Sequence, residues 1–187
     1  MIYLIIMELP QQLVMSVDSI NSMEKREHSL SHKWVLWAHL PHNTDWSLNS
    51  YIKIAELSTL EKSIQTMNAL PEGLVENCML FMMREGIKPI WEDPNNRLGG
   101  SFSYKVINKF VNNVWKELSY CVVGNTISKN KTFLEKISGI TISPKKNFCI
   151  VKIWMSSCDF QDPAIITDAI RDIGNNGCLF KKHAPEY

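Results

Sequence analysis

The sequence predicts an α+β domain, and three observations support this class. Short apolar and aromatic runs typical of strands recur along the chain, as in Met79 to Arg84. Two of these runs near the C-terminal end are separated by only four residues, as in an antiparallel hairpin. Three amphipathic helix patterns complete the set. Strands joined by short hairpins favour an α+β domain over a doubly wound parallel sheet.

Residues 8–27 show little periodicity, and the apolar residues 1–7 could form a strand or a mobile tail. We therefore expect a flexible N-terminal extension over residues 1–27, followed by one domain over residues 28–187. Met1 to Met7 is apolar, but it lacks a basic flank and polar residues follow soon after. It therefore fits neither a secretory signal nor a membrane span.

The first two strands are predicted at Lys33 to Leu40 and at Tyr51 to Ala55, where aromatic and aliphatic residues are concentrated. Large aromatic side chains on strands are usually buried. We therefore expect Trp34 and Trp37 to pack in the core.

Three helices are predicted from their start and stop signals. The first begins at the capping-box pattern Ser58-Thr59-Leu60-Glu61 and ends before Pro71 and Gly73, and the second spans Asn108 to Val123. The third begins at Asp162-Pro163. The apolar residues at helical spacing are Leu60, Ile64 and Met67 in the first; Val111, Val114, Trp115, Leu118 and Val122 in the second, before Gly124; and Ile166, Ala169, Ile170 and Ile173 in the third, before Gly174.

The C-terminal hairpin is predicted at Gly139 to Ser143 and Phe148 to Trp154, with basic residues in its turn. Side chains two positions apart on a strand share a face, so Ile150, Lys152 and Trp154 point the same way. A cation is thereby expected beside a Trp.

The segment Gly86 to Gly100 places Trp91 next to Glu92 before the turn-forming sequence Asp93-Pro94-Asn95-Asn96. Its closing Gly pair permits backbone angles closed to other residues, as is typical of a loop. An indole face can stack on a flat ring while the carboxylate accepts hydrogen bonds from that ring's edge. Guanine fits, because its N1–H and amino group are parallel donors, and an N7-methylated guanine adds a cation–π attraction of roughly 0.5–2 kcal/mol. A second ring, Trp46, lies in another turn-like stretch.

The chain resembles the translation initiation factor 4E family, which binds the 5′ cap of messenger RNA. The resemblance rests on Ile90-Trp91-Glu92-Asp93 with Gly99-Gly100, on His28 to Trp37, and on Trp46, and it extends from about His28 to Trp154. It implies a curved antiparallel β-sheet with three helices on its convex face and a cap pocket on the concave side.

The resemblance also implies roles for individual residues. Trp46 and Trp91 would sandwich the base, Glu92 would accept from its edge, and Trp154 would touch the N7 methyl group, although core packing competes for Trp154. Lys145 takes the place of a phosphate ligand, and Lys146 or Lys152 would assist. At two positions where relatives carry a basic residue, this chain has Ile150 and Ser101. We therefore expect phosphate binding to be weaker, or to use other basic residues. The residues available for this are Lys152, Lys181 and Lys182.

A second surface of the family, on the convex helices, binds a scaffold initiation factor or repressors. Here the chain departs from the family pattern: Ser29 follows His28, Ser63 or Ile64 replaces a helix Trp, and Lys116 follows Trp115. Losing a central Trp removes a typical binding hot spot. We therefore expect weak recruitment of the usual scaffold, or a different partner.

Composition bounds the alternatives. A net charge of +1 in 187 residues argues against a broad nucleic-acid footprint and for a small RNA contact. The five Cys are scattered and form no paired motif, so the sequence predicts neither a zinc site nor disulfide bonds. We expect a monomer in the cytoplasm. We expect no cofactor, metal, membrane anchor or catalytic residue. Three alternatives remain: a hydrolase using Glu92 and Asp93, a cap-binding competitor that represses translation without recruiting the usual scaffold, and a non-cap interaction protein. Neighbouring carboxylates tend to point apart, which disfavours the first.

Overall fold

A seven-stranded, curved antiparallel sheet organises the chain in the computed structural model, which describes residues 27–174 and 177–185. The strands lie in the order β2-β1-β3-β5-β6-β4-β7. The N-terminal extension expected at residues 1–27 lies outside the described residues, apart from Glu27. The strands are β1 (Ser29–His39), β2 (Tyr51–Thr59), β3 (Met79–Arg84), β4 (Gly100–Ile107), β5 (Ile137–Pro144), β6 (Phe148–Met155) and β7 (Leu179–Lys182).

The five strands expected from the sequence are confirmed, including the β5–β6 hairpin and its basic turn. Two strands were not predicted. The alternation of Phe102, Tyr104 and Val106, all buried, is the signal that could have located β4. The four-residue β7 carries no comparable pattern, and it is held at the sheet edge by its pairing with β4.

Four α-helices occur among the described residues: α1 (Leu60–Ala69), α2 (Glu72–Asn77), α3 (Val111–Val123) and α4 (Lys131–Glu135). The predicted start of α1 is confirmed, but the capping box is wrong: Thr59, and not Ser58, is the N-cap and accepts from the Lys62 N–H at 3.3 Å, while the Glu61 carboxylate accepts from the His28 N–H. Gly124 caps α3 as expected. The short helices α2 and α4 were not predicted.

The apolar stripe expected on α1 is wrong in part. Met67 is buried, but Leu60 and Ile64 are 38% and 39% exposed. Ser63 and Thr66 occupy the buried face instead, and the Ser63 hydroxyl donates to the Thr59 carbonyl at 2.9 Å. A short polar side chain that bonds to its own helix can be buried without an unpaired group.

The third predicted helix is wrong. Asp162 caps as expected, accepting from the Ala164 N–H, but only the 3₁₀ turn Pro163–Ile165 forms. Ile166 is extended, and the Thr167 N–H donates to the Ile127 carbonyl at 2.8 Å. Ile166 and Ile170 are nevertheless buried. The apolar residues at helical spacing therefore marked buried positions correctly, but the backbone that carries them is not helical.

The two faces of the sheet differ. One face packs on the helices, and its core includes Trp34, Trp115 and Leu80. The opposite face carries a separate apolar cluster formed by Phe81, Met83 and Trp154, to which no helix among the described residues contributes. Because side chains alternate along each strand, neighbours such as Leu80 and Phe81 serve different faces. Core packing is confirmed for Trp34, at 1% exposure, whereas the half-buried Trp37 packs on the open-face cluster.

The five cysteines are free thiols. In residues 27–174 and 177–185, no group of three His, Cys, Asp or Glu side chains is arranged to hold a metal ion. No helix in this part of the chain combines the length and apolarity needed to cross a bilayer.

Candidate functional site

A cavity of about 760 Å³ opens on the helix-free face of the sheet. Six of the seven predicted site residues line it: Trp46, Trp91, Glu92, Lys145, Lys152 and Trp154. The seventh, Lys146, is exposed in the β5–β6 turn and does not line the cavity. A second cavity of about 520 Å³, near Ser128 and Ile165, contains none of the predicted residues.

The loop that carries Trp91 and Glu92 is built around two buried polar side chains. Asp93 is 4% exposed and accepts hydrogen bonds from the Lys88 N–H at 3.0 Å and the Asn95 N–H at 2.8 Å. Asn96 is fully buried, and its amide donates to the carbonyls of Lys88 and Ile90. These bonds satisfy the backbone on both sides of the Trp-Glu pair, which leaves the two side chains available at the cavity.

The Gly pair that closes this loop allows close packing. Neither glycine has a positive φ; among the described glycines only Gly86 does, at 86°. A Cβ on Gly99 would lie 1.8 Å from the Met155 carbonyl oxygen, and one on Gly100 would lie 2.5 Å from the Phe180 ring. The pair therefore does not use the unusual backbone angles that Gly permits, and the glycines instead permit close approach of the loop to its neighbours.

Trp46 lies in a short turn stabilised by Asp45. The Asp45 carboxylate accepts from both the backbone N–H and the hydroxyl of Ser47, and these bonds lower its pKa below the ordinary value. The Trp46 ring stacks on His39 with centroids 4.2 Å apart and planes 1° apart. Trp46 nevertheless remains 55% exposed, so its indole retains a large accessible surface at the cavity.

A continuous chain of ring contacts joins Trp46 to Trp91 across the open face. Successive centroid separations along it range from 4.2 to 6.3 Å. Such edge and stacked contacts fix ring orientation as well as burying apolar area. The chain runs through Trp46, His39, Tyr51, Phe81, Trp154, His183 and Trp91.

Trp154 lies within this chain and is 4% exposed. Its indole N–H donates to the Thr141 hydroxyl oxygen at 3.1 Å, which fixes the ring in one orientation. The residue both packs in the open-face cluster and lines the cavity, so the core role and the site role considered from the sequence coexist.

His183 is a site component that the sequence did not predict. It stacks on Trp91 at 5.7 Å, contacts Trp154 at 4.8 Å, and pairs its Nδ1 with the Asn96 carbonyl at 2.7 Å. Its buried Nε2 has no hydrogen-bond partner in the part of the chain that the structure describes. An isolated His after a short Lys pair gives no sequence signal, because the contacts are with residues far along the chain.

Charges of both signs surround the aromatic rings. Burial, and then the charge of Glu92, raise the pKa of Tyr51 to about 12, which places the Glu92 carboxylate near that phenol. On the other side, the Lys152 ammonium lies 5.7 Å from the centre of the Trp91 ring. The cavity therefore offers aromatic surface between an acid and a cation.

We expect His183 to make folding stability depend on pH. Burial lowers its pKa below the usual 6.5, so the unfolded chain binds the proton more tightly than the folded protein. The stability due to neutral His183 is present above pH 6.5 and is lost as pH falls through the folded-state pKa, at about 1.4 kcal/mol for each unit of separation. Urea unfolding at pH 7.5 and 5.5 measures this loss.

The matched variants for this prediction are His183→Gln and the exposed His42→Asn. His183→Gln should reduce the pH dependence, whereas His42→Asn should retain it, because Asn tolerates the positive φ of 67° at that position. An unchanged pH dependence in His183→Gln would assign the effect to other groups.

Comparisons with known proteins agree with this fold. The family model of eukaryotic initiation factor 4E matches residues 29–183. Eukaryotic translation initiation factor 4E-2 of Schizosaccharomyces pombe is 25% identical over 82% of the chain, and initiation factor 4E of Candida albicans is 29% identical over 78%. The chain covers 65% of the former and 75% of the latter, so it spans about two thirds to three quarters of these relatives.

Among solved structures, one similar chain is C. elegans initiation factor 4E-3, in complex with the 4E-binding protein Mextli and a cap analog. It aligns with a TM-score of 0.63 and 24% identity over 71% of this chain and 76% of its own. At that identity, the similarity concerns the fold.

Proposed function

This chain belongs to the eukaryotic initiation factor 4E family, and from that membership we propose that it binds the 7-methylguanosine 5′ cap of messenger RNA. The observation that carries the proposal is the convergence of Trp46, Trp91 and Glu92 on one cavity of the open face. These residues come from two separate loops, and two indoles with an acid next to one of them suit a flat cationic base.

The proposed base contacts follow from the chemistry of each group. Trp46 and Trp91 stack on the two faces of the methylated guanine, and Glu92 accepts from its N1–H and amino group. Stacking on one aromatic side chain contributes about 1–3 kcal/mol per base, and the positive charge of the methylated ring adds a cation–π attraction. Trp154, whose orientation is fixed by Thr141, contacts the methyl group.

The proposed phosphate contacts come from lysines at the cavity rim. Lys145 and Lys152 line the cavity, and Lys152 lies beside the Trp91 ring, where phosphates attached to a stacked nucleoside would emerge. Lys146, exposed in the same turn, would act only on a longer ligand.

In cellular terms, we propose a role in cytoplasmic translation initiation, with two alternatives. The chain could instead compete for caps without recruiting the usual scaffold, or it could be an interaction protein without cap binding. The hypothesis that the chain competes for caps rests on the helical surface. Ser63 is buried on α1, Ile64 is exposed there, and Lys116 is half-buried on α3. None of these three positions provides a Trp to anchor a partner. A scaffold or repressor partner would meet Leu60 and Ile64 there. Binding of a full-length scaffold peptide at nanomolar affinity would contradict the hypothesis of competition for caps.

A binding function is favoured over hydrolysis by the environment of Asp93. Both oxygens of its carboxylate accept hydrogen bonds from the loop, and the side chain is 4% exposed. Among the described residues that line the cavity, Glu92 is the one carboxylate, whereas a hydrolase commonly uses an acid and a base together.

Tryptophan fluorescence titration with 7-methyl-GTP and with GTP tests the proposal. We expect 7-methyl-GTP to quench the fluorescence at concentrations at least about tenfold lower than GTP does, because only the methylated base is cationic in the sandwich. An equal response to both nucleotides, or none, would favour the non-cap interaction protein.

A further inference from the structure

The edge strand β7 brings a third lysine-bearing segment to the open face of the sheet, after the β5–β6 turn and β6. In the strand register, Lys181 lies directly opposite Ser101, and Ser101 lies directly opposite Trp154. Residues directly opposite in an antiparallel sheet share a face. Lys181 therefore belongs to the same face as Trp154, two strand spacings or about 10 Å away.

The neighbours of Lys181 confirm its orientation. Phe180 packs on Phe102 at 4.9 Å, and Phe102 belongs to the helix-side core. Because side chains alternate along a strand, Lys181 points to the opposite, open face, while Lys182 shares the side of Phe180. Lys181 is exposed, and Ser101, at 3% exposure, cannot supply a charge in its place.

Lys181 acts electrostatically on the cavity. The half-buried Lys152 has a lowered pKa, chiefly because of burial and then because of the charges of Lys145 and Lys181. The charges of Lys145 in the β5–β6 turn and of Lys181 on β7 thus both repel the Lys152 ammonium on β6. A polyanionic ligand would relieve that repulsion, whereas a neutral ligand would not.

We propose that Lys181, which does not line the cavity but lies on the same face of the sheet, binds phosphate at the edge of the cavity, acting with Lys145 and Lys152 on the polyphosphate of a capped nucleotide. The proposal rests on the proposed function, since it takes the methylated base to occupy the Trp46–Trp91 pair. The additional cation is thus provided by Lys181 on the edge strand β7, and not by position 101, which is a serine.

Lys181→Gln and Lys182→Gln form a matched pair, since both residues are exposed on the same strand but face opposite sides. Each full-length variant is titrated with 7-methyl-GTP and with the phosphate-free nucleoside 7-methylguanosine. We expect Lys181→Gln to weaken 7-methyl-GTP binding about threefold to tenfold, less at high salt, and to leave nucleoside binding unchanged. Lys182→Gln should bind both as the parent does, and Lys181→Arg should retain affinity.

The outcomes separate this inference from the proposed function. If the parent protein prefers 7-methyl-GTP over GTP but Lys181→Gln and Lys182→Gln bind it equally well or lose equal affinity, the role of Lys181 is overturned while cap binding stands. If Lys181→Gln weakens the nucleoside as much as the nucleotide, the lysine acts on the base site and the proposal also fails. If the parent shows no preference for the methylated nucleotide, the proposed function fails first.

Discussion

Replacing Trp91 with alanine is expected to weaken binding of 7-methyl-GTP by about 100-fold. The substitution removes one face of the proposed sandwich, worth about 1–3 kcal/mol in stacking and a further 0.5–2 kcal/mol in cation–π attraction. Folding should change little, because the loop is held by Asp93 and Asn96 and not by the half-buried indole. Fluorescence or calorimetric titration measures the affinity, and urea unfolding measures the stability.

Leu98→Ala is the matched control, because Leu98 lies in the same loop, is 80% exposed and does not line the cavity. It should bind 7-methyl-GTP as the parent does. Trp91→Phe should recover part of the affinity, since a smaller ring still stacks. If Trp91→Ala binds the methylated nucleotide within a factor of about three of the parent, the indole is structural and the sandwich is wrong.

The Trp91 loop illustrates what the sequence could predict. Trp91, Glu92 and the turn that follows are adjacent in the chain, so their chemistry could be interpreted without knowing the fold. The alternation of Ile150, Lys152 and Trp154 similarly predicted a cation near a Trp, and the structure brings Lys152 and Trp154 to one cavity. Local spacing was sufficient in both cases.

The rest of the site depends on contacts that spacing does not encode. His183 meets Trp91 and Trp154 only because β7 pairs with β4 at the sheet edge. His39 lies behind Trp46 because β1 ends beside that turn. Strand partners and register are long-range properties, and a single sequence without an alignment carries weak information about them.

The absent third helix has a different cause. Its start signal at Asp162-Pro163 was correct, but the Thr167 N–H is used by the Ile127 carbonyl and Asp172 adopts a positive φ of 62°. A helical spacing of buried isoleucines is compatible with several backbone paths, and here a tertiary hydrogen bond selects a non-helical one.

Glu92→Gln and Asp93→Asn are expected to have opposite consequences, although the two acids are neighbours. Glu92 is exposed at the cavity, so Glu92→Gln should leave stability unchanged. It replaces one acceptor oxygen with an amide that donates toward the donors of guanine. We expect about 100-fold weaker binding of 7-methyl-GTP, in line with 1.5–3 kcal/mol for each hydrogen bond to a charged group, reduced by solvent exposure.

Asp93→Asn acts on the loop instead. The buried carboxylate accepts from the Lys88 and Asn95 N–H groups and from the Asn95 side-chain amide, and an asparagine cannot accept with both of its terminal atoms. We expect a loss of about 1–3 kcal/mol in the free energy of unfolding, with weaker binding only as far as the loop is disturbed.

Measured together, the two variants discriminate binding from hydrolysis. Urea unfolding and 7-methyl-GTP titration should separate them, with Glu92→Gln changing affinity alone and Asp93→Asn changing stability. Chromatography of 7-methyl-GTP incubated with the parent protein should show intact nucleotide. Turnover by the parent that disappears in both variants would mean that the two carboxylates act as a catalytic pair, and the binding function would have to be replaced by an enzymatic one. Because both oxygens of Asp93 accept hydrogen bonds within the loop and Asp93 does not line the cavity, we expect no such turnover.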